Sequence, residues 1–171
     1  MDAETDMSQL LDDFEHGRVP LLEFMRAACR LREESGMEPI PELGTAVVAC
    51  FGRHTEGRDL MTCILEIEGF KVIKADRDST VQRTVEMCRD PEVTVLCYSV
   101  QTTYDCPDLM NVSELLKEEG IRERIILNIG GSPITPGLAE RMGCDVYAPT
   151  AVQSVRAMKS EVLRRKAGRP Q

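Results

Sequence analysis

Aromatic residues are scarce in this chain, and tryptophan is absent. Of its 171 residues, 4% are Phe, Trp or Tyr, which is too few for the aromatic platforms on which nucleic-acid bases stack. Basic residues are in the minority too: 21 Lys and Arg stand against 29 Asp and Glu, giving a net charge of −8. A chain without a basic stripe is a poor ligand for a phosphate backbone. We therefore expect no nucleic-acid partner.

Long apolar runs and paired cysteines are missing as well. The longest apolar runs are short and strand-like, so we expect no membrane-spanning helix. The acidic start, with Asp2, Glu4 and Asp6, is unlike a signal peptide. The seven cysteines are odd in number and include no C-x-x-C pair, which disfavours a disulfide framework or a zinc ribbon. With two histidines, His16 and His54, a metal site of several histidines is excluded. These features predict a cytoplasmic protein with reduced thiols.

The first 44 residues predict a short helical hairpin. Residues 7–14 carry an amphipathic stripe, and a second stripe runs from Pro20, a typical first-turn residue, to Leu31. Gly17 and Gly36 follow the two stripes, and glycine commonly follows a helix end. Two helices alone bury little surface, so the hairpin must pack on something else. Because each helix has its own stripe, we expect a homodimer that pairs two hairpins into a four-helix bundle.

From Thr45 onward, short apolar runs alternate with helical stretches. The predicted strands are 46–51, 71–74, 93–98, 125–129 and 145–147, and the predicted helices are 56–68, 79–88, 108–119, 135–142 and 150–165. Ser79 and Thr150 are the predicted caps of two of these helices. This alternation predicts right-handed crossovers and a parallel sheet, and five units suit the flavodoxin-like (Rossmann-like) strand order 2-1-3-4-5. Ligands of such sheets bind at the carboxyl ends of the strands, so we expect functional residues after strands 1, 3, 4 and 5.

Polar and glycine-rich segments follow those four strands. They are 52–57 (G-R-H-T-E-G), 99–103 (S-V-Q-T-T), 130–133 (G-G-S-P) and 148–151 (A-P-T-A). His54 lies 45 residues before Ser99, which lies 31 residues before Gly130. Taken singly, these segments have structural explanations: a solvated histidine, a helix cap and a strand-to-helix turn. The first segment is not a phosphate-binding P-loop, because no Lys-Ser/Thr pair follows it.

Taken together, the segments resemble the cobalamin-binding domains of corrinoid methyl carriers and related mutases. His54 and Gly57 match the family's H-x-x-G, Ser99 matches its serine, and Gly130–Gly131 match its glycine pair. The stretches at the fourth and fifth strands also read like its G-G-A-P-V-T and D-G-Y-A-P. The resemblance covers about residues 45–160.

The resemblance also implies a division of the chain. Residues 45–171 correspond to a cobalamin-binding α/β domain, and residues 1–44 look like a truncated form of the helical cap with which methyl carriers begin. An incomplete cap leaves apolar surface for a partner. The implied partners are methyltransferase subunits and a second copy of the chain.

The implied cofactor is cobalamin, a cobalt corrinoid, bound base-off with His54 as the metal ligand. A neutral imidazole suits cobalt. The family buries the cofactor's nucleotide tail against the sheet. Gly130 and Gly131 leave room for this tail because they lack a Cβ, and Ser99 and Thr103 offer hydrogen bonds to it. We expect cofactor contacts at Gly52, Arg53, His54, Thr55, Glu56, Gly57, Ser99, Gln101, Thr103, Gly130, Gly131, Ser132, Tyr147, Ala148 and Thr150.

Two positions depart from the family pattern. Gly52 stands where the family has an aspartate that accepts the second N–H of the ligand histidine. Its absence predicts weaker cobalt ligation by His54, and Glu56 is the candidate replacement. Gln101 stands where the family has the leucine of S-x-L.

The implied function is a corrinoid protein that carries a methyl group on cobalt between two methyltransferases, towards an acceptor such as a folate or a thiol. No carboxylate pair or nucleophile–base pair in the sequence suggests catalysis by the chain alone. Three alternatives stay open. A cobalamin-dependent sensor or regulator acting on a partner protein fits the missing aspartate and reduced cap about as well. A small mutase subunit is disfavoured by the residual cap, and a flavodoxin-like module for another nucleotide is disfavoured by the low aromatic content.

Overall fold

A four-stranded parallel sheet lies at the centre of the folded molecule. The computed structural model describes residues 3–51 and 54–168. The strands are β1 (Thr45–Cys50), β2 (Lys71–Lys74), β3 (Val93–Ser99) and β4 (Ile126–Gly130). Their order is β2-β1-β3-β4, and each neighbouring pair is parallel. The parallel α/β fold and the order of its first four strands are therefore confirmed.

Helices flank both faces of this sheet. In the described residues they are α1 (Ala3–Glu15), α2 (Leu21–Ser35), α3 (Glu56–Ile67), α4 (Val81–Met87), α5 (Cys106–Leu109), α6 (Val112–Glu118), α7 (Pro136–Arg141) and α8 (Ala151–Ala167). A short 3-10 turn, Thr103–Asp105, precedes α5. Within this described part of the chain, no helix combines the length and apolarity needed to cross a membrane.

The core is divided into two apolar clusters by the alternation of side chains along each strand. Ala46 and Val48 of β1 pack with α3 and α8 on one face. Val47 and Ala49, which point the other way, pack with the side formed by α4 to α7. Helix α3, which follows β1, lies on one face, and α4, which follows β2, lies on the other. The sheet is therefore covered on both sides, as is usual for parallel sheets.

The predicted fifth strand, 145–147, is wrong as a strand. In the described residues this segment joins β4 through one isolated parallel bridge, between Asn128 and Val146. Two side-chain hydrogen bonds are made where a longer strand would form backbone hydrogen bonds with β4. The Asp145 carboxylate accepts the Leu127 N–H at 2.8 Å, and the Asn128 amide donates to the Val146 carbonyl at 3.0 Å. The segment lies beside β4, where a fifth strand would be, without extending the sheet.

The predicted helix 108–119 is two helices. It begins earlier, at Cys106, because Pro107 fits the first turn of α5. It is interrupted before α6, where Asn111 takes the N-cap position. Asn favours caps over helix interiors because its side chain competes for backbone hydrogen bonds.

One predicted helix cap is shifted and the other is confirmed. The cap of α4 is Thr80 rather than Ser79, since Thr80 Oγ1 accepts the Arg83 N–H at 3.1 Å. Thr150 caps α8 as predicted, accepting the Gln153 N–H at 3.2 Å.

The N-terminal hairpin packs on the chain's own α/β part. Met7, Leu11, Phe24 and Ala28 are buried in the same cluster as α3 and α8. The Phe14 ring stacks on Phe24 with ring centroids 4.2 Å apart. Both apolar stripes are thus covered within one chain. The homodimer was predicted because the stripes had no partner, and the structure does not support it.

Polar contacts also fasten the hairpin. Arg32 of α2 forms an ion pair with Glu66 of α3. At the other end, Glu15 of α1 accepts a hydrogen bond from the Thr150 hydroxyl at 3.0 Å and lies 3.7 Å from Arg156 of α8. The hairpin is therefore held to both helices of the face that it covers.

All seven cysteines are free, and four of them are buried. Burial raises the pKa of the Cys63, Cys88 and Cys97 thiols to about 12. Such thiols stay protonated and pack as small apolar groups, as their positions in apolar segments predict.

Candidate functional site

Three strands end side by side at one edge of the sheet. Cys50 of β1 pairs with Ser99 of β3, and Ser99 pairs with Gly130 of β4. We call the edge defined by Cys50, Ser99 and Gly130 the carboxyl edge. Because the strands are parallel, the loops that follow them meet here, which is where ligands of such sheets bind.

The loop after β1 starts from a rigid anchor. Phe51, directly after the strand, stacks on Tyr98 with ring centroids 5.8 Å apart and nearly parallel planes. Tyr98 is fully buried on the α4 side of the sheet, and its hydroxyl is hydrogen-bonded to Thr84 Oγ1 at 2.5 Å. The position of Phe51 is therefore fixed by packing with the core.

The same loop ends against Ser99 on the opposite face. A Cβ on Gly57 would lie 2.1 Å from Ser99 Oγ and 3.3 Å from its Cβ, and 3.8 Å from Gln101 Nε2. Only a residue without a side chain allows α3 to begin this close to β3. Two of the predicted motifs are thus in contact, and Phe51 and Gly57 pack on opposite faces of the sheet beside the carboxyl edge.

The third motif meets the second through the backbone. Gly131 has φ +127°, and a Cβ there would lie 1.9 Å from the Val100 carbonyl oxygen. The Val100 N–H donates to the Gly130 carbonyl at 2.8 Å. Sequence reasoning missed Val100, because its contacts with the glycine pair are made by main-chain atoms and its buried side chain marks it only as a core residue.

Gly130 has different surroundings from its neighbour. Among the described residues, no heavy atom lies within 4 Å of the position that a Gly130 Cβ would take. The Ser99 hydroxyl, on the adjacent strand, makes no hydrogen bond to any described residue. The end of β4 therefore combines open space with an available hydroxyl donor.

His54 projects from the loop into solvent. Its side chain is 64% exposed, and its Nδ1 lies 3.8 Å from Oε2 of Glu56, which is equally exposed. Thr55 occupies the N-cap position of α3 without a side-chain cap hydrogen bond. The predicted contacts Gly52 and Arg53 lie outside the described residues.

The remaining predicted residues lie around the same loops. Thr103 and Ser132 are exposed, at the start of the 3-10 turn and in the loop after β4. The neighbouring Tyr104 is 90% exposed. Tyr104 was not singled out in the sequence, because the sequence does not show that a tyrosine in a polar loop is this exposed.

Residues after the isolated bridge have contacts within the fold. Tyr147 donates its hydroxyl to the Ile134 carbonyl at 3.1 Å, and the Ala148 carbonyl accepts the Ser154 hydroxyl at 3.4 Å. Thr150 both caps α8 and donates to Glu15. Sequence reasoning also missed Glu15, which comes from α1.

The cavities of the described residues differ in what their walls offer. A cleft of about 680 Å³ borders the carboxyl edge between Phe51, α4 and α5. A cavity of about 490 Å³ at the opposite edge is lined in part by Arg124 and Arg165. Both guanidinium groups are already engaged there: Arg124 donates to three backbone carbonyls, and Arg165 pairs with Asp145 and Glu161. The carboxyl edge is the better candidate site.

Comparison with known proteins gives relatives along most of the chain. No family model matches it. Trimethylamine corrinoid protein 1 of Methanosarcina acetivorans is 29% identical over 170 residues, spanning 92% of this chain and 78% of that protein. Dimethylamine corrinoid protein 1 of the same organism is 34% identical over 106 residues, spanning 62% of this chain and 50% of that protein.

The chain's homologues are the methylamine corrinoid proteins of methanogens.

Solved structures with the same fold are also corrinoid-related. The chain superimposes on the methanol:cobalamin methyltransferase complex MtaBC of Methanosarcina barkeri with a TM-score of 0.76, at 18% identity over 99% of this chain and 70% of that chain. A cobalamin-binding protein from Desulfitobacterium hafniense gives a TM-score of 0.74, at 18% identity over 92% and 78%. At this identity the likeness concerns the fold, and it supports the Rossmann-like architecture.

Proposed function

We propose that this chain binds cobalamin at its carboxyl edge and carries a methyl group on the cobalt between partner methyltransferases. The observation that carries the proposal is the contact between the three motifs, with Gly57 against Ser99 and Gly131 against Val100. Its homologues are corrinoid proteins by name, and the methyltransferase complex MtaBC shares its fold.

The residues at the carboxyl edge fit a cobalamin. The open space beside Gly130 is a cradle that any larger side chain would fill, and it suits a nucleotide tail lying against the backbone. The Ser99 hydroxyl, free of other described partners, donates a hydrogen bond to the base of that tail. Cobalamin bound here supplies a cobalt centre that accepts a methyl group and gives it up again.

In this proposal His54 would be the residue that holds the cobalt. Its imidazole is exposed at the carboxyl edge, and an imidazole nitrogen is a good donor to cobalt. Binding is then base-off, because the protein histidine replaces the cofactor's own base. In the same proposal, residues 45–171 form the cobalamin-binding domain, and residues 1–44 correspond to part of a helical cap.

The partners supply the rest of the chemistry. The chain contributes binding and positioning, while methyltransferase subunits activate the methyl donor and the acceptor. The exposure of His54 and Tyr104 at the carboxyl edge is consistent with docking of an enzyme on this side.

The first test is binding of the cofactor. Purified chain is incubated with hydroxocobalamin and passed through gel filtration, and we expect a stoichiometric corrin to elute with the protein. Gly130→Val should keep the fold and lose the corrin, because the branched side chain fills the cradle. Gly137→Ala, at a helical glycine with open space around it, is the matched control. If no corrin elutes with the unaltered chain, the proposal is wrong.

The second test concerns the cobalt ligand. In the 15N-labelled chain, loaded with unlabelled cobalamin and reduced to cobalt(II), the EPR spectrum should show splitting by one 15N nucleus of the protein rather than by the 14N of the cofactor's own base, and His54→Ala should abolish the 15N splitting. His16→Ala is the control, since His16 is in the α1–α2 turn and contacts Asp12. An unchanged spectrum in His54→Ala would remove His54 from the site.

A sensor role predicts a different behaviour from a carrier. When the chain is loaded with adenosylcobalamin and illuminated, a carrier should keep its oligomeric state in light scattering. A change of oligomeric state on illumination would favour a cobalamin-dependent regulator instead.

A further inference from the structure

We propose that Glu56 is the positioning residue of His54, accepting a hydrogen bond from the imidazole Nδ1–H so that Nε2 faces the cobalt. This inference rests on the proposed function above. It assigns a role to the side chain two positions after the histidine in the sequence, since Gly52, two positions before it, has no carboxylate.

Distance and attachment single out Glu56. Its Oε2 lies 3.8 Å from His54 Nδ1, less than 1 Å beyond the usual N–H···O range of about 2.7–3.2 Å. The backbone beneath it is held, because Glu56 is the first residue of α3 and the next residue, Gly57, lies against Ser99. The proposal requires the two exposed side chains to approach by this remaining distance.

The first turn of α3 is fastened on its other side as well. Arg58 is mostly buried and donates to the Ala75 carbonyl at 2.9 Å, beyond the end of β2. This contact and that of Gly57 fix the helix at both faces. Glu56 therefore presents its carboxylate from a rigid element, which is how side chains that position a ligand are best held.

The chemistry requires such an acceptor. A histidine that binds a metal almost always donates its other ring N–H to a carboxylate, a carbonyl or a water, which fixes the tautomer and raises the basicity of the bound nitrogen. Asp59, the other acid in this turn, is committed to Arg58 at 3.3 Å and Lys74 at 3.4 Å. Of the two, Glu56 is the acid beside His54.

The first test uses the full chain without cofactor. Long-range 1H–15N NMR at alkaline pH reports which nitrogen of the neutral imidazole carries the proton. We expect the Nδ1–H tautomer of His54 in the unaltered chain, a shift towards Nε2–H in Glu56→Ala, and a smaller shift in Glu56→Gln, whose amide oxygen still accepts. Asp59→Ala is the matched control and should leave the tautomer unchanged. Equal tautomer ratios in Glu56→Ala and the unaltered chain would overturn the inference.

The second test uses the cobalamin-loaded chain. Cobalt(II) EPR measures the ratio of histidine-ligated to unligated cobalt, and this ratio should fall about tenfold in Glu56→Ala and stay constant in Asp59→Ala. The amount of corrin bound should be the same in both. If the unaltered chain binds no corrin, the proposed function and this inference both fail. If it binds corrin through His54 and Glu56→Ala matches Asp59→Ala, only this inference fails.

Discussion

Two adjacent glycines at the end of β4 have different tasks. Gly131 is required by the chain itself, since its φ of +127° suits glycine and the Val100 carbonyl fills the place of a side chain. Gly130 faces open space, so its lack of a side chain matters only if a ligand lies there. Gly131 therefore serves the fold, and Gly130 is open for the role that the proposed function gives it.

This difference makes a prediction at the residue scale. Gly131→Ala should lower the free energy of unfolding by about 1–3 kcal/mol, because both the backbone strain and the contact with Val100 must be relieved. Urea denaturation of the full chain measures this. Gly137→Ala is the control: it lies in α7 with nothing near its Cβ position, and should be neutral or slightly stabilising. Equal stability of the two variants would contradict the packing described for Gly131.

How far the site was predictable also depends on single residues. The sequence singles out Gly57, Ser99 and Gly131, all of which make close contacts at the carboxyl edge, because a motif records residue types at fixed spacing. Val100 is not singled out, since its backbone carries the contact with Gly131 while its buried side chain marks it only as a core residue. Glu15 is not either: it reaches Thr150 from a position 135 residues earlier, and local patterns contain no information about such a pairing.

At the scale of elements, the strands and most helices follow from periodicity, and the failures have identifiable causes. The segment 145–147 has the composition of a strand, but the side chains of Asp145 and Asn128 replace its ladder hydrogen bonds. The pattern of 108–119 is helical throughout. The break before α6 comes at Asn111, the N-cap residue of that helix, and the period of the apolar residues does not reveal it.

The C-terminal helix α8 gives a prediction for pH. Glu161 accepts hydrogen bonds from Arg164 and Arg165, which lower its pKa to about 2 from an ordinary value of 4.5. Arg165 also pairs with Asp145 at 2.7 Å, so this network ties α8 to the segment after β4. A carboxylate whose pKa is lowered by folding stabilises the protein above its ordinary pKa and loses this contribution as the pH falls towards its folded value.

The expected result is a difference in how much stability the unaltered chain and a Glu161 variant lose on acidification. Between pH 7 and pH 3, the unaltered chain should lose more free energy of unfolding than Glu161→Gln, by up to about 1 kcal/mol for a pair near the surface. Denaturant titrations at both pH values measure it. Glu114→Gln, an exposed acid paired with Lys117 in α6, is the control and should behave like the unaltered chain. Parallel losses in Glu161→Gln and the unaltered chain would contradict a stabilising role for the network.

At the scale of the whole molecule, the hairpin is part of the same hydrophobic core as the face that it covers. The aromatic pair of Phe14 and Phe24 lies between α1 and α2, and Ala28 continues the contact towards α3. The amphipathic stripes could be read from the sequence, but the surface that covers them could not. Periodicity shows that a face needs burial and leaves open whether the same chain or another one provides it.

The oligomeric state follows from what this packing leaves uncovered. On α2 the large apolar side chains that remain open are Leu21 and Leu22, at 38% and 60% exposure, a patch far smaller than the roughly 1,000 Å² that a stable interface needs. We therefore expect the cofactor-free full chain to be a monomer in light scattering at micromolar concentration. Leu22→Asp should leave the molar mass measured by light scattering at that of a monomer. Leu163→Asp, at an exposed apolar position on α8, is the matched control. A dimer that dissociates in Leu22→Asp but persists in Leu163→Asp would show that the hairpin, although packed on its own chain, also joins two copies.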